Sequence, residues 1–152
     1  MLNWDYDPTA YGKIKPLTPG QYRVRIEKAE EKTSKKGNEM VKLTLAVSGV
    51  NQKLFYYLPF LPDNRELTNR KLGAIFDSFG ITPGDLNVLN WKGKVGAANV
   101  VNKVDDTGTL QAEISYFLRK SSQNGLPAWQ EGNGKNGGEI NSEMIDLGTP
   151  PF

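Results

Sequence analysis

The chain has 152 residues, of which 38% are apolar and 24% charged, which suits one compact domain but not two. It contains no Cys and no His, so disulfides, thiolate metal sites and histidine acid–base chemistry are excluded. Most hydrolase and metalloenzyme sites therefore lose a residue that they require, which disfavours catalysis. We expect no bound metal and no cofactor. The sequence holds no run of about 18 apolar residues and no hydrophobic stretch near its start, so we expect neither a membrane span nor a secretory signal.

Charge is divided unevenly along the chain. Residues 1–122 carry 18 Lys and Arg against 13 Asp and Glu, whereas residues 123–152 carry one Lys against four acids. The first part has a balance of +5 and the second of −3, which together give the net charge of +2. This division indicates a polyanion-binding surface with an internal competitor or a partner-docking arm. Ordinary variation of surface charge is the alternative.

Three stretches near the start alternate apolar and polar residues, as half-buried strands do: residues 21–29, 40–47 and 53–60. The first two are joined by the polar loop 31–38, which predicts a long hairpin. The third ends at Pro59 and Pro62, since proline donates no hydrogen bond to a ladder. These strands would follow one another as a meander.

The period then changes to three or four residues between Asn64 and Phe79, which predicts a helix. Asp63 or Asn64 would cap its start, and Gly80 would end it. Two further strands follow, at 94–104 and 109–118, joined by a tight turn at 105–108. Alternation in the last strand predicts one inward face with five members: Leu110, Ala112, Ile114, Tyr116 and Leu118.

The predicted order is therefore strand, strand, strand, helix, strand, strand. It matches the OB-fold, a mainly β, five-stranded Greek-key barrel with one helix between strands 3 and 4. Gly93 and Gly96 would suit the bend that a small barrel needs at a corner. An open α+β sandwich with the same element order is the alternative.

Residues 121–152 hold six of the 16 Gly and three of the nine Pro and show no periodicity. We expect a folded domain over residues 1–120, followed by a flexible Gly/Asn-rich linker and an acidic tail over 121–152. An arm that wraps onto the domain, anchored by Trp129, is the alternative.

OB-folds bind oligonucleotides on strands 2 and 3 and on the loops joining strands 1 to 2 and 4 to 5. Lysines crowd the first loop, and Phe55, Tyr56 and Tyr57 are consecutive, so at least one ring must leave the core. Exposed rings beside lysines can stack unpaired bases while the cations hold phosphates. The stacking candidates are Phe55, Tyr57, Trp91 and Phe117, and the phosphate candidates are Arg23, Arg25, Lys35, Lys36, Lys42, Lys53 and Arg119. Tyr22, Tyr56 and Tyr116 are expected to face inward. For each ring the alternative is burial in the core, and for each cation it is an ordinary solvated charge.

The last ten residues combine acidic and apolar side chains with a terminal Phe152. Such an ending can insert into an apolar pocket rimmed by Arg or Lys. We therefore expect a partner-binding motif at the end of the tail.

Four stretches of the sequence resemble a bacteriophage family, first described only as a domain of unknown function, whose members are assigned as OB-fold single-stranded-DNA-binding proteins. They are LTPGQYRVRIEKAEEKTSKKGNEMVKLTL (17–45), YYLPF (56–60), LTNRKLGAIFDSFGI (67–81) and WKGKVGAANV (91–100). The resemblance implies coating of single-stranded DNA during phage replication or recombination, in the cytoplasm of the infected bacterial host, by a dimer or larger homo-oligomer.

The ending IDLGTPPF separately resembles the acidic tip of bacterial single-stranded-DNA-binding proteins, which recruits replication, recombination and repair partners. Matching positions are Asp146, Pro151 and Phe152, whereas the run of aspartates and the Ile before the proline are missing.

Two other functions stay open. One is a protein-docking or virion structural module on the same barrel, without DNA binding. The other is a nuclease that binds metal through carboxylates, for which six acids are available: Asp63, Glu66, Asp77, Asp85, Asp105 and Asp106. Acids at a helix start or in a turn have ordinary structural reasons to be there, which disfavours the nuclease.

Overall fold

The computed structural model of the chain describes residues 1–7 and 17–131. The predicted partner-binding residues Asp146, Pro151 and Phe152 lie outside these ranges. Within them are five strands, β1 (Gly20–Thr33), β2 (Glu39–Val47), β3 (Lys53–Pro59), β4 (Val95–Val104) and β5 (Leu110–Phe117), and the helix α1 (Arg65–Phe79). Short 3-10 turns lie at Pro62–Asn64, Val88–Trp91 and Lys120–Ser122. The strands and helix predicted from periodicity are thus confirmed, in the predicted order.

The strands form one antiparallel sheet in the order β3-β2-β1-β4-β5. β1 is long enough to serve two partners, because its residues 24–33 pair with β2 and its residues 20–25 pair with β4. The outermost strands, β3 and β5, meet through the rings of Tyr56 and Phe117, whose centroids are 4.8 Å apart. The chain is therefore mainly β, with a curved sheet whose two ends approach each other.

The core lies between the inner face of this sheet and α1. Val24, Ile26, Leu43 and Leu45 from the sheet and Ile75 from the helix are fully buried. Their alternation in β1 and β2 is the reason these segments form strands with one apolar face. Because one face of these strands is packed in the core, the opposite face is the one open to ligands.

α1 begins and ends where the sequence predicts. The Asn64 side chain accepts a hydrogen bond from the Leu67 amide at 3.3 Å, and Gly80 adopts the left-handed conformation with φ of 66°. Both are standard ways to satisfy the unpaired groups at helix ends. Neither α1 nor any other helix of the described residues is long and apolar enough to cross a membrane.

β5 departs from the predicted alternation. A register shift against β4 makes Ser115 an extra residue between the paired positions Ile114 and Tyr116. The predicted inward orientation of Tyr116 is therefore wrong: its exposed fraction is 52%, while Phe117 is buried at 6%. Leu110, at the hairpin end of the strand, is also 46% exposed. The bulge reverses the facing of Tyr116 and Phe117, which a polar–apolar pattern does not reveal, whereas Leu118, just after the strand, is buried as predicted.

The ordered body continues past residue 120. The side chain of Gln123 is buried, and its amide donates hydrogen bonds to the Ser78 carbonyl (3.1 Å), the Ser78 hydroxyl (3.1 Å) and the Leu118 carbonyl (3.0 Å). Residues 119–131, called the arm below, then run back over β1 to reach Ser48 and Gly49 after β2. Packed residues thus continue past residue 120, where the sequence predicts the folded domain to end.

Candidate nucleic-acid interface

The outer face of β1, β2 and β3 presents three rows of side chains. Strand register aligns Arg25, Ala46 and Lys53 in the first row, Lys28, Thr44 and Phe55 in the second, and Glu30, Lys42 and Tyr57 in the third. Rows lie about 7 Å apart along a strand, because each residue advances by about 3.4 Å. Rings and cations predicted from the sequence are therefore brought together on one face.

The centre of this face is formed by Lys42, Phe55 and Tyr57, called the ring cluster below. The Lys42 ammonium lies 4.8 Å from the centroid of the Phe55 ring and 5.8 Å from that of Tyr57. Both rings are half-buried, whereas Lys42 is only 7% exposed. The ammonium thus lies over both rings, and little of the Lys42 side chain is open to the phosphate contact predicted for it.

Tyr56 points the other way, as the alternation of β3 requires. Its ring packs against the core and contacts Phe117. Burial raises the pKa of its hydroxyl above the ordinary value for tyrosine. The expectation that the middle ring of the three faces inward is therefore confirmed, and its two neighbours are left on the outer face.

The β1–β2 hairpin ends in a defined turn that presents Lys35 and Lys36. Ser34 closes this turn: its amide donates to the Asn38 carbonyl at 2.8 Å, and its hydroxyl accepts from the Asn38 amide at 3.1 Å. Gly37 takes a φ of 86°, which the turn requires and a side chain would strain. Both lysines are exposed, so the hairpin tip is a fixed cationic point beyond the ring cluster.

Arg23, predicted to contact phosphate, is used inside the molecule. Its guanidinium donates to the main-chain carbonyls of Pro127 (2.7 Å), Gln123 (3.2 Å) and Leu126 (3.3 Å). Three carbonyls around one guanidinium hold the first half of the arm against β1. Arg23 is therefore a structural clamp of the arm in this state.

Arg25 is also engaged, but by side chains of the arm. It donates hydrogen bonds to Glu131 and, at 2.7 Å, to Glu27, and its guanidinium carbon lies 4.5 Å from the centroid of the Trp129 ring. The Trp129 indole N–H donates to the same Glu131 carboxylate at 3.1 Å. The bond from Arg25, followed by that from Trp129, lowers the pKa of Glu131 below its ordinary value. We call Arg25, Trp129 and Glu131 the clasp.

Two predicted stacking residues lie in the core instead. Trp91 is fully buried, its indole N–H donates to the Asp85 carbonyl at 2.8 Å, and its ring meets Phe76 edge-on with centroids 5.9 Å apart. Phe117 packs against Tyr56 and against the core side of α1. Neither ring is open to a base, so Phe55 and Tyr57 remain as the candidates for stacking. Trp91 faces the core because it lies in a short 3-10 helix, which the sequence pattern does not predict.

Two other predicted cations, Lys53 and Arg119, differ in exposure and in place. Lys53 is half-buried in the same row as Arg25, next to the ring cluster. Arg119 is exposed at the start of the arm, after β5. Lys53 therefore extends the cationic face, whereas Arg119 lies on a different part of the fold.

Trp129 and Glu131 also lie at this face, a position that the sequence pattern does not predict. One signal was present, since residues two apart in an extended segment point to the same side and here pair an aromatic ring with an acid. Such a pair is not expected in a flexible linker, which packs against nothing.

The loop between β4 and β5 carries acids but closes on itself. One carboxylate oxygen of Asp105 accepts from the amides of Thr107 and Thr109 at 2.9 Å, and the other accepts from the Gln111 side chain at 2.7 Å. Hydrogen bonding, first from the Thr107 hydroxyl, lowers the pKa of Asp105. Within residues 1–7 and 17–131, no group of three acidic, His or Cys side chains is placed to hold a metal ion.

The model of a family described as "Protein of unknown function (DUF669)" matches residues 4–59. The matched segment contains β1, β2 and β3, and with them the basic hairpin and the ring cluster. No curated protein matches the chain. The chain is thus similar, over its first three strands, to a family whose description assigns no activity.

Proposed function

We propose that the chain is a non-catalytic protein that binds single-stranded DNA without sequence preference, through the ring cluster and the cations around it. The observation that carries this proposal is the pair of half-exposed rings, Phe55 and Tyr57, standing beside Lys42 on the outer face of β3. Each base has a flat π-face, so such rings accept any base, at roughly 1 to 3 kcal/mol per stack.

In this proposal the fold is an OB-fold barrel. Its support is the strand order, the single helix between β3 and β4, and the approach of β3 to β5 through Tyr56 and Phe117. In barrels of this type, strands 2 and 3 and the loop from strand 1 to strand 2 carry the oligonucleotide site. The ring cluster and the lysine-bearing hairpin tip occupy those two positions.

The cations add an electrostatic contribution that depends on salt. Lys35, Lys36 and Lys53 can each replace a counterion at a phosphate, and this binding falls as salt concentration rises. The rings supply the preference for single strands, because bases in a duplex are paired and stacked on one another.

The wider role follows from the resemblance to phage single-stranded-DNA-binding proteins. The chain would coat strands exposed during phage DNA replication, recombination or repair, in the infected bacterial host, as a dimer or larger assembly. Its ending, with Asp146, Pro151 and Phe152, would recruit partner proteins.

Substituting the two rings tests the proposal. Phe55→Ala and Tyr57→Ala should each weaken binding of a fluorescein-labelled thymidine oligomer by about 1 to 3 kcal/mol, measured by fluorescence anisotropy. Tyr116→Ala is the matched control, because it removes an exposed ring that lies on β5 and does not belong to the ring cluster. Circular dichroism would verify that all three variants keep the β fold. If the ring variants bind as tightly as the control, the stacking surface is not here.

A further inference from the structure

The clasp places an aromatic ring and a carboxylate on one guanidinium, which also donates a hydrogen bond to Glu27 at 2.7 Å. Arg25 faces the flat Trp129 ring at 4.5 Å, and it donates to both oxygens of the Glu131 carboxylate, the second at 3.3 Å. A nucleotide offers an arginine the same two kinds of group: its base is an aromatic ring, and its phosphate is an anion. The arm therefore fills this position with groups that imitate a nucleotide.

We infer that Arg25 forms a nucleotide subsite of the DNA-binding face, which Trp129 and Glu131 occupy until DNA displaces them. This inference rests on the proposed function and extends it to a position that the ring cluster does not reach. On displacement a phosphate takes the place of the carboxylate and a base takes the place of the indole. Arg25 thus keeps both kinds of contact, and the exchange leaves no buried charge unpaired.

The position of Arg25 on the sheet supports this assignment. Register aligns it with Lys53, in the row next to Phe55, on the same face as the ring cluster. A strand of DNA that runs along β3 over Tyr57 and Phe55 reaches this row next. The subsite is therefore continuous with the proposed stacking surface.

The two ends of the arm are held with different strength. Gln123 is 4% exposed and makes three hydrogen bonds in the interior, whereas the Glu131 side chain is 70% exposed. Exposed ion pairs are weak and are screened by salt, so a polyanion can replace this one. The exchange would thus involve the end of the arm, near Trp129 and Glu131, while the anchor at Gln123 stays in place.

Hydrogen–deuterium exchange of the full chain gives a direct test. The Gln130 amide donates to the Ser48 hydroxyl at 2.9 Å, which protects it while the arm is seated. Saturating thymidine oligomer should accelerate exchange at Gln130. Unchanged or slower exchange there, in a complex shown by anisotropy to have formed, would overturn the inference and leave the proposed function standing.

Affinity gives a second test with a matched control. Glu131→Gln should tighten thymidine-oligomer binding about two- to fivefold at low salt, the range expected when an exposed ion pair no longer competes. Glu113→Gln removes the same charge from the β5 pair with Lys103 and should change affinity less than the arm variant. If the two variants change the affinity equally, the change is explained by net charge alone, and this outcome would contradict the proposed subsite at Arg25. If the chain binds no oligomer at all, the inference and the proposed function fall together.

Discussion

At Gly96, β4 passes the C-terminal end of α1 with no space for a side chain. A Cβ there would lie 2.8 Å from the Ser78 hydroxyl and 2.9 Å from both the Phe79 ring and the Ser78 carbonyl. Such short distances force the helix or the strand to shift. From the sequence a bend is expected at this glycine, whereas in the structure the close approach of β4 to α1 is what requires it.

Gly96→Ala should therefore lower the free energy of unfolding by about 1 to 3 kcal/mol, the usual cost of overpacking a core. Urea denaturation followed by circular dichroism measures this. Gly73→Ala is the control, since a Cβ at this exposed helix position meets nothing within 4 Å. Because alanine favours helix, that variant should gain about 0.5 to 1 kcal/mol. A Gly96 variant as stable as the wild type would contradict the packing described.

Glu131 offers a test of the clasp by pH. Its pKa is lowered in the folded chain, chiefly by the bond from Arg25. The clasp is therefore fully formed above the ordinary glutamate pKa of about 4.3 and is lost as pH falls through the lowered value. Arg25→Ala should move the pKa of Glu131 back up toward its ordinary value, as measured by NMR titration of the Glu131 carboxyl carbon.

Arg70→Ala serves as the control, because it removes a guanidinium from the exposed side of α1. It should leave the Glu131 titration unchanged. A Glu131 midpoint that does not rise in the Arg25 variant would show that the carboxylate is not held by this arginine in solution.

Residue-level prediction succeeded where strict alternation holds. In β3 it placed Phe55 and Tyr57 on one face and Tyr56 on the other, since neighbouring residues of a strand point in opposite directions. It failed for Phe117, because the extra residue Ser115 reverses the order in β5. It failed for Trp91 because an irregular turn has no period from which burial could be read.

Among the elements, the β1–β2 hairpin carries the clearest electrostatic signature. Its tip is held by Ser34, Gly37 and Asn38, so Lys35 and Lys36 project from a fixed turn. The sequence predicted the loop and its charge, though not the hydrogen bonds that shape it. In the proposed function, this cationic tip would contribute to DNA affinity through contacts with phosphates, which carry no sequence information.

Replacing both Lys35 and Lys36 by Ala should lower the dependence of binding on salt. For single strands, each lysine that neutralises a phosphate adds about 0.7 to the slope of log K against log salt, so the double variant should have a slope smaller by about 1.4. Anisotropy titrations at several salt concentrations measure the slope. Lys71→Ala, on the exposed side of α1, should leave it unchanged. An unaltered slope in the double variant would remove the hairpin from the binding face.

The arm is the element that sequence reasoning described least well. Gly, Asn and Pro in residues 121–131 suggested a linker, yet Gln123 is buried against Ser78, and Arg23 clamps the following carbonyls. The arm is held by hydrogen bonds to residues far away in the sequence. Contacts of this kind do not require a periodic pattern of apolar residues in the arm itself. Such a segment becomes predictable only when the positions of its partners in the fold are known.

At the scale of the whole molecule, one face of the sheet packs against α1 to form the core, and the other face carries the proposed binding surface. Apolar residues of β1 and β2 face the core, and the same strands turn rings and cations outward. Element order and the overall architecture were accessible from the sequence because they depend on periodicity and on a few turn residues. How the ends of the sheet approach each other depends on long-range packing between β3, β5 and α1, which local pattern does not encode.

The central claim, that the outer face of β1–β3 binds unpaired nucleobases, is tested most directly by comparing single-stranded with double-stranded DNA. Equilibrium anisotropy should be measured for a labelled thymidine oligomer and for a duplex of the same length, with the full chain at low and at moderate salt. We predict tighter binding to the single strand at both concentrations, because salt screens the phosphate interactions that both ligands share but not the stacking on Phe55 and Tyr57. Equal affinity for the two ligands, or a preference for the duplex, would contradict the account.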